Sequence, residues 1–205
     1  MEAKQRIYNL LEKYVPENAV HYCLDLWVAT PFNFRISRIR STKLGDYRFD
    51  PNTTQHTISL NCNLNKYNFL ITYIHEYAHL SNTKINGRKT EPHGIAWQNE
   101  FKRLMAPMLS PLIFPGPVLE VLKKHMRKPK ASSQADPNLA RVLKMYDADA
   151  ENLFFLDDAD LGEVFIFRGN KYKKIATRRT RVLCEHVSSG KKYLIPKIAQ
   201  IENLK

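Results

Sequence analysis

The five residues His75-Glu76-Tyr77-Ala78-His79 restrict the fold of this chain more than any other segment. Imidazoles four positions apart can reach one metal ion when the backbone between them is α-helical, because that period puts both on one face. A glutamate directly after the first histidine then lies beside the open metal position, where it can take a proton from water. The flanking residues agree with a helix over 66–80: Tyr67, Leu70, Ile71, Ile74 and Ala78 form an apolar stripe. His75 and His79 share an edge with Thr72 and Asn68, away from that stripe. The spacing therefore predicts a site for one zinc ion, with His75 and His79 as ligands and Glu76 as the catalytic acid/base of peptide hydrolysis.

Catalytic zinc takes three protein ligands and leaves one position open. His93, fourteen positions after His79 in Glu91-Pro92-His93-Gly94, is the expected third ligand, since a helix–loop–helix return brings it over the metal. Glu100 is the competitor and Glu91 a weaker one. Gly at 82 and His at 85 would mark a metzincin, and the chain has Asn82 and Ile85 there.

Apolar periodicity predicts helices over 4–14, from Pro16 to Pro31, over 93–105 and near 118–125. Short extended runs at 33–37, 46–49 and 57–60 predict a small antiparallel sheet, and four more alternate between 163 and 201. Gly169-Asn170 and Ser189-Gly190 read as hairpin turns. Residues 127–138 read as linker, and six acids follow within 147–160. The expected architecture is α+β: a helical zincin-type metalloprotease domain over 1–126, a linker with an acidic segment over 127–162, and a small β-rich basic appendage over 163–205.

Several of these residues together resemble the SprT-like zinc metalloprotease family (bacterial SprT/Spartan type). Lys43-Leu44-Gly45 with Tyr47 and Phe49, then Thr57-Ile58-Ser59-Leu60-Asn61, look like its strands entering the site. His75-Glu76-Tyr77-Ala78-His79 and Pro92-His93-Gly94-x-x-Trp97 look like its catalytic motifs. The resemblance spans about residues 5–110. It implies a zinc held by His75, His79 and His93, Glu76 as acid/base, and protein substrates held on DNA. Many relatives carry a C-terminal four-cysteine zinc ribbon, whereas this chain has Cys184 alone there, so one zinc ion is expected.

Charge points the same way. The formal net charge is +12, which favours polyanionic partners. Residues 163–205 hold eleven basic side chains against three acidic ones. Lys171, Lys173, Lys174, Arg178, Arg179 and Arg181, with Tyr172 and Tyr193 interleaved, are the expected nucleic-acid contacts, through phosphate neutralisation and base stacking. The acidic run is expected to lie against this tail or another basic surface and to compete with nucleic acid. No stretch approaches the roughly 20 apolar residues of a membrane span, and three scattered cysteines suit a reducing cytoplasm. The alternative to an enzyme is a zinc-stabilised nucleic-acid-binding module without activity; an intact Glu76 speaks against it.

Overall fold

The computed structural model describes residues 2–40, 42–148, 150 and 154–203, in two compact units, 1–146 and 147–205. The chain is mixed α and β, as expected, with six α-helices and two small sheets among the described residues.

In the first unit, α1 (Glu2–Tyr14) and α2 (Val20–Ala29) precede β1 (Asn33–Ser37), β2 (Gly45–Asp50) and β3 (Gln55–Asn61). The strand order is β1-β3-β2; β2 runs antiparallel to β3, but β1 runs parallel to it. The expected all-antiparallel sheet is thus corrected to a mixed one. The loop after β1 carries β2 to the far edge of β3, and runs of four or five residues do not encode that order. Alternation along the strands turns Phe34, Ile58 and Leu60 inward and the polar Arg35, Thr57 and Ser59 outward.

The inner face packs on α3 (Lys66–Asn86), where Phe34 meets the rings of Phe69 and Tyr73. Asn65 caps α3, its side-chain oxygen accepting from the N–H groups of Tyr67 and Asn68. The helix runs past the end of its apolar stripe. Asn82 is buried and donates to Thr90 Oγ1, and only Gly87, at φ +78°, ends the helix. α4 (Ile95–Met105) returns along α3, followed by α5 (Gly116–Arg127).

Residues 127–138 are no linker. Pro129 and Ser133 are buried, and Ser133 Oγ donates to Asn68 Oδ1 of α3. Asp136 caps α6 (Pro137–Lys144) and accepts from the buried His125 at 3.0 Å. Leu139 and Leu143 of α6 belong to the main core, so the first unit ends at Tyr146 and not at 126. The Ser/Gln/Pro composition hid this, because a helix of eight residues shows too little period to read.

The second unit holds β4 (Val164–Phe167), β5 (Asn170–Thr177), β6 (Arg181–His186), β7 (Lys192–Pro196) and β8 (Glu202–Asn203). The first four form a meander, and β8 returns to pair with β4. The first hairpin turns on Arg168-Gly169, both at positive φ, one residue before the expected place. Leu156, Phe165, Val182, Cys184, Ile195 and Ile201 form a separate core. Of the acidic run, Asp149 and Glu151 lie outside the described residues. Its later part is integral to this unit: the N–H groups of Leu156 and Asp157 donate to Ala199 O and Lys197 O, and Asp157 pairs with Lys197 at 3.2 Å.

Candidate metal centre

Helix α3 presents His75 and His79 one turn apart, and the loop entering α4 presents His93 to them. His93 adopts φ +60°, a left-handed conformation that few non-glycine residues take and that clusters at functional sites. Gln98 Nε2, in the first turns of α4, donates to its carbonyl at 3.0 Å and holds that turn. The three Nε2 atoms lie 3.3 Å (His79–His75), 3.0 Å (His79–His93) and 3.2 Å (His93–His75) apart.

This triangle fits a divalent metal on its own geometry. Ligand nitrogens about 2.0–2.1 Å from a tetrahedral zinc stand about 3.3 Å from one another. A neutral imidazole has one lone-pair nitrogen, and three of them pointed at one spot cannot satisfy each other, whereas one cation accepts from all. Burial, then the neighbouring His79 and His93, hold His75 well below its ordinary pKa. Burial and then His93 bring His79 down to about 4, and burial lowers His93. Each of these effects disfavours the imidazolium and so favours the neutral form that ligates. Among the described residues this is the one cluster of at least three such donors.

Trp97 of α4 braces the cluster. It is fully buried, and its ring centroid lies 4.6 Å from that of His75, 5.1 Å from His79 and 4.6 Å from His93. Its indole Nε1 is buried without a hydrogen-bond partner among the described residues. Such an orphaned donor costs about 1–3 kcal/mol, and the ring is placed for the three imidazoles. The apolar period of α4 marks Trp97 as buried but not what it touches.

Glu76 lies one position on, 6% exposed. Burial first, with a smaller contribution from Asp46, raises its carboxyl to about 8, while the backbone N–H of Tyr47 donates to it and pulls the other way. Strand β2 can come this close because of Gly45. A Cβ there would stand 2.6 Å from Leu60 Cδ2, 2.8 Å from Thr72 Cγ2 and 3.0 Å from Glu76 Cγ. A cleft of about 160 Å³ opens beside His75 and Glu76, walled by Lys43, Leu44 and Gly45 together with Ser132 and Ser133.

The entry to β2 is pinned by the end of β3 and by the loop that leads into it. Asn61 Nδ2 donates to the carbonyls of Arg40 and Lys43 at 3.1 and 2.9 Å. Asp46 accepts from Arg40, Lys43, Arg48 and Ser59. Burial alone would raise the Asp46 carboxyl, but these partners outweigh it and hold it well below the usual carboxylate range.

The rival ligands are placed elsewhere. Glu100 is engaged by Arg103, whose Nε and Nη2 donate at 2.8 and 2.7 Å, and by Ser81. Glu91 is exposed, and neither belongs to the cluster.

The six expected nucleic-acid residues do not come together. Lys174 is 3% exposed, and its ammonium donates to the carbonyls of Leu156, Asp157 and Ala159 at 3.1, 3.2 and 2.7 Å. It holds the loop before β4 and faces no solvent, so its assignment to nucleic acid is corrected. Lys171 stands near the start of β5, while Arg178 and Arg179 lie in the turn beyond its far end, roughly 23 Å away along an extended strand. Lys171, Lys173, Arg178, Arg179 and Arg181 are exposed. Phe167 and His186 gather around Tyr172 and Tyr193, with Arg168 over the Phe167 ring, a grouping that no local sequence signal announces.

Compared with known proteins, the chain matches no family model, no curated protein and no solved structure. No helix among the described residues is long and apolar enough to cross a membrane.

Proposed function

We propose that this chain is a zinc metallopeptidase of the HExxH type. The observation that carries the reading is the convergence of three imidazole Nε2 atoms within 3.0–3.3 Å of one another, with a buried carboxyl beside them on the same helix. A purely structural zinc site closes its shell with a fourth protein ligand. Here the cluster has three donors among the described residues, and a cleft reaches Glu76. The helix–strand setting of the motif and the SprT-like resemblance favour a zincin-type site.

When bound, zinc would supply Lewis-acid polarisation of a peptide carbonyl and a water-derived nucleophile near neutral pH. The chain's own residues do the rest. His75, His79 and His93 hold the ion, and Trp97 keeps their rings in place. Glu76, steered by the Tyr47 N–H and the close approach at Gly45, takes the proton from the attacking water and returns it to the leaving nitrogen. A nearby dication favours the ionised carboxylate and so opposes the effect of burial on Glu76. The substrate class that the resemblance and the net charge of +12 favour is protein carried on DNA, with the chain itself as a further target.

The test is hydrolysis of an unfolded protein substrate by the zinc-loaded chain, with chelation and zinc restoration. Cleavage that stops on chelation and returns with zinc is the expected result. No cleavage in zinc-loaded protein, with or without DNA, would leave the non-enzymatic zinc module instead.

A further inference from the structure

At one end of the second unit's sheet, Phe167, Tyr172, His186 and Tyr193 share the face that elsewhere is buried core. Tyr172 is at the centre, with ring centroids 6.3 Å from Phe167, 5.2 Å from His186 and 5.8 Å from Tyr193. The core does not close over this end. A cleft of about 390 Å³ remains there, lined by Phe167, Arg168, Asn170, Tyr172, Tyr193 and Pro196 among others, and Tyr193 is 44% exposed.

The two hairpins that bound this end set its charge. Arg168 stands at the turn beside Phe167, and Lys191 lies opposite His186, whereas Lys171 and Lys192, paired with Ile166 and Glu185, alternate to the other face of the sheet. The Arg168 guanidinium lies 5.2 Å from the Phe167 ring centroid, at the rim. A cage for a methylated ammonium needs aromatic faces with net negative surroundings, and a proline-rich peptide gains nothing from the cations at this rim. Flat aromatic faces ringed by cations match a planar base joined to a phosphate.

We propose that this cleft binds single-stranded nucleic acid, an unpaired base stacking on Tyr172 and Tyr193 while Arg168 and Lys191 meet the flanking phosphates. The site uses neither the metal centre nor a zinc ribbon, and it does not rest on the peptidase reading. It also differs from the basic stretch from Lys173 to Arg181, because Lys174 is buried and Arg178 and Arg179 lie at the opposite end of the sheet.

The test is fluorescence anisotropy of a labelled mixed-sequence single-stranded oligonucleotide with the full chain, with and without chelator, against the same sequence as a blunt duplex. Single strands should bind tighter than duplex, equally with and without chelator. Tyr193→Ala should weaken single-strand binding about tenfold or more, and Tyr193→Phe, which keeps the ring, should restore it. Arg168→Gln should weaken binding and flatten its salt dependence, while Arg178→Gln with Arg179→Gln should have the smaller effect. Equal affinity for duplex and single strand with no change in Tyr193→Ala would overturn the proposal. So would tighter binding of a proline-rich or trimethyl-lysine peptide to the cleft. Loss of peptide hydrolysis with this binding intact would count against the peptidase reading alone.

Discussion

Individual side chains carry the site, and each has a separable job. His93 reaches the cluster from outside α3 on a left-handed backbone, so it is the ligand that defines the site as three-membered. Replacing it by Ala should lower zinc affinity by more than the roughly 10–100-fold that outer-shell changes cause, read by competition with a chromophoric chelator; Glu100→Ala should leave affinity unchanged, because Arg103 and Ser81 already hold that carboxylate. Asp46 acts at a distance by fixing the entry to β2. Its carboxyl is held below the unfolded value, so its contribution is present above about pH 4 and is lost as pH falls through the folded value. Asp46→Asn should therefore lower stability at pH 7 by about 2 kcal/mol, and the gap to the parent should shrink as urea denaturation is repeated at falling pH.

Secondary elements divide into those a sequence can announce and those it cannot. The α3 helix was legible because an apolar stripe, the i, i+4 histidine pair and its polar edge all point to one period. Its expected end at 80 falls short of Asn86, because the mostly polar run 81–86 does not continue the stripe. The His93 loop was legible through Pro92-His93-Gly94, since chemistry demanded a third ligand at a helix start. The α6 helix was not, because Asp136-Pro137 is a helix-start signal too short to outweigh its Ser- and Gln-rich surroundings. Lys174 was misread for a related reason. Alternation along β5 gives its face, yet a bulge follows between Lys174 and Ala176, and no local signal says that the loop at 156–159 offers three carbonyls to an ammonium. Lys174→Met should destabilise the second unit by about 3 kcal/mol, whereas Lys171→Met should change its thermal midpoint little; equal effects would show that the ammonium is not the fastener.

For the whole molecule, the boundary between units decides what can be separated. Because α6 supplies Leu139 and Leu143 to the first core, and Ser132 and Ser133 wall the cleft beside Glu76, a fragment ending at 126 lacks part of both. Residues 1–146 should fold alone and keep zinc, while 1–126 should expose apolar surface and bind the dye ANS; cooperative unfolding of 1–126 equal to that of 1–146 would contradict the boundary. The account as a whole depends on Glu76 being a proton carrier and not a support of the fold. The most direct measurement is the cleavage rate of Glu76→Gln at zinc content matched to the parent. The expected result is about one zinc per chain in both proteins and a rate about a hundredfold to ten-thousandfold lower in the variant. A variant that holds zinc and cleaves within a few-fold of the parent would contradict it.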